Sequence, residues 1–332
     1  MTTTDQTATD PAATDPAATD PAATDPAATD PAAPEPAAAD PAAAEPAATV
    51  TDPAATATAR AGLPLAERAL RVRQHIVAMA ASPEGAHIGG ALSAADILTA
   101  LYFDVLRVRP EEPEWPGRDY FLLSKGHAAA GLYAVLAERG FLPVEELDTY
   151  ARSGSRLGGH PLRTVPGVEF PTGSLGHGLA LGLGLALAAR RDGRDNRAYV
   201  LLGDGELQEG SVWEAADSAA RLGLDNLTAV VDRNRLQING SSHRGNLADR
   251  WRAFGWRAVE IDGHDLDALS AALREPPAEP GVPTVLLADT VKGRGVPFLE
   301  NRAKSHYALL SPTLRHRALK ALAAASRTEQ DR

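Results

Sequence analysis

Apolar positions along the chain alternate between short unbroken runs and helical spacings. Residues 198–202 (Ala-Tyr-Val-Leu-Leu) and 227–231 (Leu-Thr-Ala-Val-Val) are compact apolar runs with strand character. A helical segment lies between them, and Ser211 with Glu214 has the spacing of a capping box that would start it. Strand, helix, strand in so short a space predicts a βαβ unit with parallel strands. Both carboxyl ends then fall on one sheet edge, which is where such sheets bind ligands.

The pattern continues on both sides. Leu65, Ala69, Val72, Ile76 and Met79 recur at three and four, with Pro64 at a favourable first-turn position. Ser93 would cap a helix running to Leu106, and residues 120–123 (Tyr-Phe-Leu-Leu) form a strand ending in Ser124-Lys125-Gly126-His127. Residues 158–161 form a loop, and the glycine-rich turn 172–178 opens a further helix. Strands at 256–261 and 284–288 flank a helix at 265–274. Strands alternating with helices indicate an α/β fold, a doubly wound parallel sheet flanked by helices. The apolar helix at 179–189 is too short and glycine-rich to span a bilayer.

Composition adds a second region. In residues 1–60 an acidic residue recurs every fifth position from Asp5 to Glu45, alanine and proline dominate, and Arg60 is the lone basic residue. Such a segment has too little apolar surface to offset its ordering entropy, so it is expected to be a disordered tail preceding a folded domain at 61–332. It lacks the basic start and apolar middle of a signal peptide. The chain's net charge of −10 less the tail's −9 leaves −1 for the remainder. That gives no basic excess for nucleic acid. Zero cysteines exclude disulfides and thiolate chemistry. These features together predict a soluble, cytoplasmic protein without nucleic-acid or membrane partners.

The chemistry-bearing residues gather at the strand ends. The first strand of the central unit delivers Gly203-Asp204-Gly205, and the second delivers Asn234, 30 residues after Asp204. Adjacent strands lie about 4.8 Å apart, so Asp204 and Asn234 can share one ion. A carboxylate and an amide oxygen, with a backbone carbonyl, suit Mg²⁺ or Ca²⁺ and leave positions open for phosphate oxygens. Gly203 and Gly205 lack a Cβ, so backbone N–H groups can approach an anion. The turn at 172–178 reads equally as a tight packing loop or as an anion site at a helix N-terminus. His87, His127, His160 and His306 each lie in or beside a loop, where a histidine is either solvated or moves protons. Lys292 is either a surface lysine or a charge partner for a diphosphate.

The Gly-Asp-Gly and distant Asn pair resembles the thiamine diphosphate motif. GDGELQEGSVWEA resembles a transketolase, specifically the N-terminal subunit of a split one, with the resemblance running from about Leu65 to Ser311. It implies the diphosphate-type domain of the thiamine diphosphate-binding fold. Asp204, Asn234 and the Leu236 carbonyl would bind the metal, Mg²⁺ or Ca²⁺. His127, Gly173, Leu175, Gly203, Gly205, Glu206, Asn234, Ile238 and Lys292 would bind the cofactor. His87, His160 and His306 would contact the donor's hydroxyls and move protons. The implied activity is a transketolase-type transferase (EC 2.2.1), moving a two-carbon ketol unit from a ketose to an aldose.

Ala86 and Ile88 around the first histidine, and Ser305 before the last, depart from the family's usual residues and bear on donor specificity. The family draws an activating glutamate from a second α/β domain, for which the folded part has no room. The expectation is therefore a half-enzyme paired with a separate C-terminal subunit carrying the pyrimidine-binding domain, in an α2β2 heterotetramer. Two alternatives are a relative delivering a two-carbon unit to a carrier protein and a non-catalytic subunit that keeps the cofactor fold.

Overall fold

The computed structural model describes residues 62–237, 240–242 and 245–330. The expected tail at 1–60 and the expected cofactor residue Ile238 lie outside them.

Helical spacing after Pro64 gives α1 (Leu65–Met79). Next come α2 (Ile88–Ser93) and α3 (Ala95–Ala100), the latter closing in a single π-turn at Leu101–Val105. The expected start at Ser93 is incorrect, because the helical stretch begins at Ile88. The Ser93 hydroxyl accepts no cap N–H; it points inward instead, 2.6 Å from Asp232 Oδ2, to which it donates, and 3.1 Å from the Gly90 carbonyl.

β1 (Tyr120–Leu123) runs through a short 3-10 turn into α4 (Ala129–Arg139). A long loop leads to α5 (Gly178–Arg191). β2 (Ala198–Gly203), α6 (Gly210–Arg221) and β3 (Leu227–Arg233) form the predicted βαβ unit. Here too the cap differs from expectation. α6 begins at Gly210 without a side-chain cap, and the Ser211 hydroxyl donates instead to the Gly176 carbonyl at 3.0 Å. A short hairpin of β4 (Leu236–Gln237) and β5 (Gly240–Ser241) precedes α7 (Leu247–Ala253). The chain continues through β6 (Arg257–Asp262), α8 (Leu266–Arg274), β7 (Thr284–Asp289) and α9 (Pro312–Gln330).

Five strands form one parallel sheet in the order β1-β2-β3-β7-β6. Ala198 pairs with Leu227 at one end of the central pair and Gly203 with Asp232 at the other, so the chemistry-bearing residues share one edge. Side chains alternate between the faces with the strand period of two. Tyr199, Leu201, Val230 and Leu286 join a core with α1 to α4, α8 and α9. Val200, Leu202, Val231 and Leu287 join a second core with α5, α6 and α7. Helices on both faces explain why these strands are continuously apolar rather than alternating.

α5 shows how packing overrides propensity. Its glycines should weaken a helix. At Gly182, however, an added Cβ would lie 2.4 Å from Val200 Cγ2. The glycine lets the helix lie directly on β2, and this contact offsets the conformational cost. Among the described residues no helix is long and apolar enough to cross a membrane.

Candidate functional site

The carboxyl ends of β2 and β3 open into a cavity of about 390 Å³ lined by Asp204, Asn234, Leu236, Lys292, His127, His160 and His306, with Gly173, Leu175, Gly203, Gly205 and Glu206 on its walls. Of the expected site residues among the described ones, all line it except His87.

Asp204 is buried. Its Oδ1 accepts from the Gly205 N–H at 2.9 Å, and its Oδ2 accepts from the Arg235 N–H at 2.5 Å and the Ser242 hydroxyl at 2.7 Å. Burial, reinforced by the charge of Asp232, pushes its carboxyl above the usual range although both of these Oδ2 donors oppose the rise. Arg235 adopts a left-handed backbone with φ of 63°. That turn costs a non-glycine residue roughly 1 kcal/mol or more. It lets Asn234 and Leu236, on either side, both line the cavity. Asn234 Oδ1 accepts from the Leu236 N–H at 3.1 Å, and the Leu236 carbonyl accepts from Lys292 Nζ at 3.1 Å.

These groups fit a hard divalent cation. The donors are oxygens, burial holds the one carboxylate above its usual range, and the Leu236 carbonyl already faces a cation in the Lys292 ammonium. Among the described residues no three His, Cys, Asp or Glu side chains converge as a metal cluster. A cation here would therefore rest on one carboxylate, one amide, one carbonyl and the oxygens of its ligand.

The N–H groups of Gly203 and Gly205 do not behave as expected. Gly203 N–H donates to Glu206 Oε2 at 3.0 Å and Gly205 N–H to Asp204, so both are engaged by the chain's own carboxylates. Glu206 also accepts from the Gly176 N–H at 2.9 Å and from the Ser124 hydroxyl. It thereby ties together the ends of β1 and β2 and the glycine-rich turn. The glycines still keep the wall low: a Cβ on Gly205 would sit 3.2 Å from Gln237 Cβ, and one on Gly173 would sit 3.4 Å from the His160 ring.

The four loop histidines converge. The His87 ring centroid lies 5.7 Å from His127, 5.9 Å from His160 and 5.3 Å from His306, and Tyr307 stands edge-on to it at 4.9 Å. His127 and His306 are 5.2 Å apart. His87 Nδ1 is buried without a hydrogen-bond partner. Burial, then the neighbouring Lys292, His87 and Lys125, pulls His306 down to about 4. His127 is held well below the usual histidine range by burial and then Lys125, and His87 is lowered by burial and His160. These three rings are neutral at pH 7 and can donate and accept hydrogen bonds. Lys292 is lowered to about 8 by burial and by Lys125, against the pull of Asp232 and Asp204. It keeps its charge at neutral pH.

Two residues at the centre of this network were missed from the sequence. Lys125, almost wholly buried but part of the cavity lining, forms an ion pair with the fully buried Asp232 and donates to the Gly90 carbonyl at 3.0 Å. Asp232 also accepts from Ser93, Thr290 and, at 3.4 Å, Asn234 Nδ2. The signal available for Lys125 was a lysine two residues after an apolar strand and two residues before His127.

Residues 66–321 match the family described as transketolase, thiamine diphosphate binding domain. An apulose-4-phosphate transketolase subunit from Phocaeicola vulgatus is 44% identical over 239 residues, covering 71% of this chain and 85% of that protein. The 6-deoxy-6-sulfo-D-fructose transketolase subunit SqwG of a Clostridium species is 43% identical over 225 residues, covering 66% and 82%. Among solved structures, transketolase from Campylobacter jejuni superposes with a TM-score of 0.74 at 32% identity over 80% of this chain, which spans 45% of the length of that one.

Proposed function

Because the chain belongs to the transketolase family through its thiamine diphosphate binding domain, we propose that it is the N-terminal subunit of a split transketolase that moves a two-carbon ketol unit from a ketose donor to an aldose acceptor. The reading includes a separate C-terminal subunit that supplies the pyrimidine-binding domain, in an α2β2 assembly. Two relatives whose names make them single subunits of a transketolase, matched over most of their length, support it. No observation favours a carrier-protein substrate or a non-catalytic role.

The observation that carries the proposal is the juxtaposition of Asp204, Asn234, the Leu236 carbonyl and Lys292 around one cavity at the ends of adjacent parallel strands. Thiamine diphosphate, when bound, supplies the electron sink that allows a ketose carbon–carbon bond to break and reform on an aldose. Asp204, Asn234 and Leu236 O would hold Mg²⁺ or Ca²⁺ against the diphosphate, and Lys292 would add a buried positive charge. His127, neutral and packed beside Lys125, would donate a hydrogen bond on the diphosphate side. His87, His160 and His306 crowd together on the donor side. Their rings would orient the donor's hydroxyls, and His87 and His306, with lowered proton affinity, release a proton readily once they take it up.

Calorimetric titration of thiamine diphosphate into the full chain plus its C-terminal partner, with Mg²⁺ and then with a chelator, tests the reading. Binding that requires the divalent ion is expected. Metal-independent binding, or none with the partner present, would overturn it.

A further inference from the structure

Lys292 belongs to the segment that follows β7, and this segment is fastened from behind the cavity by a polar chain that the site itself does not use. Asp96, at the start of α3, is buried and accepts both guanidinium N–H groups of Arg73, at 2.8 and 2.5 Å. Burial alone would raise its carboxyl, but Arg73 and His264 draw it down to about 2, so it is a carboxylate and can only accept hydrogen bonds. Its third contact is His264 Nδ1 at 2.7 Å, so Nδ1 must carry the ring proton. The remaining ring nitrogen, Nε2, then has a free lone pair. It accepts the backbone N–H of Val291, the residue before Lys292, at 2.8 Å.

The close approach is built into the backbone. Gly263 N–H donates to the Asp289 carbonyl at 2.8 Å, and a Cβ on Gly263 would fall 2.5 Å from Thr290 Cγ2. Only a glycine beside His264 brings the ends of β6 and β7 this near. On the far side of Lys292, Gly293 N–H donates to the Gly89 carbonyl at 3.0 Å. The lysine therefore hangs between two backbone anchors, and its ammonium reaches Leu236 O and, at 3.4 Å, His306 Nδ1.

We propose that His264 is a positioning residue for Lys292: fixed in its Nδ1–H tautomer by Asp96, it holds the Val291 amide and so sets where the lysine charge meets a bound diphosphate. The inference rests on the diphosphate-binding reading above. His264 does not line the cavity. Its effect must pass through Lys292, which gives it a signature that a general packing role lacks.

The test uses the full-length chain assembled with its C-terminal partner and magnesium pyrophosphate as the probe, read by calorimetry. In His264→Asn the amide can still donate to Asp96, but the acceptor for Val291 is lost. Affinity should fall roughly tenfold, the scale of one hydrogen bond. His264→Gln, which can place an oxygen near the Nε2 position, should stay within about twofold of wild type. In a Lys292→Ala background, His264→Asn should change affinity no further. An equal loss with and without Lys292, or no loss from His264→Asn, would overturn the proposal. Should His264→Asn not fold, ring ¹⁵N shifts of His264 in the wild-type chain decide: an Nδ1–H tautomer supports the proposal and an Nε2–H tautomer refutes it. A wild-type assembly that binds no pyrophosphate would sink the diphosphate reading itself, whereas wild-type binding indifferent to His264 sinks this inference alone.

Discussion

The ammonium of Lys125 and the carboxylate of Asp232 form an ion pair in which both side chains are almost wholly removed from solvent. The pair joins the end of β1 to the end of β3. Through the other donors to Asp232 it also fixes Ser93 in α2, Thr290 after β7 and Asn234 at the candidate metal site.

Removing one member of such a pair strands the other charge. Lys125→Met should destabilise the chain by about 3–5 kcal/mol, because Asp232 is left without its counter-ion in the sheet's interior. Lys125→Met with Asp232→Asn should cost less than the sum of the two single changes. Urea unfolding of the three variants measures this. Strict additivity would show that the two groups do not act as a pair.

Asp204 is the one charged oxygen donor proposed for the divalent ion, and burial already presses its carboxyl towards protonation. Asp204→Ala should weaken Mg²⁺-dependent thiamine diphosphate binding in the assembled enzyme by orders of magnitude. It should leave the fold intact, because Asp204 lines the cavity at the strand end and belongs to neither apolar core. Calorimetry with circular dichroism checks both halves of the statement. Near-wild-type affinity would move the metal elsewhere.

The architecture was legible where local pattern and tertiary packing agree. The runs at 198–202 and 227–231 are apolar because helices cover both sheet faces, and they became neighbouring parallel strands in the predicted βαβ unit. Capping was not legible. Ser93 and Ser211 both had sequence contexts suited to helix starts, yet each hydroxyl went to an acceptor far along the chain, Asp232 and the Gly176 carbonyl. The same limit hid the ion pair, whose members are 107 residues apart and which no periodicity marks. The four histidines could be picked out by their glycine and proline neighbours. That they form one packed group is a product of the loops and could not be read from spacing.

Acid should destabilise the protein through its buried histidines. His306 falls from an ordinary value of 6.5 to about 4 in the folded chain, mainly by burial. Below pH 6.5 the unfolded chain takes up this proton while the folded chain does not, so stability declines as pH falls and the loss is complete once pH passes about 4. His127 and His87 are lowered too and add to the same limb. Lys292 acts at the other end. Its value of about 8 against 10.5 unfolded means stability rises between those pH values as the buried charge is relieved. His306→Gln cannot protonate, so its melting temperature should fall less steeply than wild type between pH 6.5 and 4. Identical slopes would mean that His306 is solvated.

Activity should depend on a second chain. The cavity residues assigned to the cofactor all address its diphosphate and metal end, and the solved transketolase it matches is about twice as long as the aligned part. Three exposed large apolar side chains lie close in sequence to site histidines: Leu162 at 43% exposure, Tyr307 at 50% and Leu309 at 57%. Tyr307 packs edge-on against His87, so that surface adjoins the histidine group. Exposed apolar groups beside a site are what a partner covers. The chain alone should therefore bind thiamine diphosphate weakly and transfer no ketol unit. Adding the cognate C-terminal subunit should restore transfer from a ketose to an aldose and, in step with it, hydrogen–deuterium exchange at the cofactor's C2. Complex formation should also protect Tyr307 and Leu309 from hydroxyl-radical labelling, while Leu222, exposed at 45% and outside the cavity lining, should label as before. Turnover by the isolated chain at the rate of the pair would refute the split-enzyme reading. Restored turnover without protection of Tyr307 would keep that reading and place the interface elsewhere.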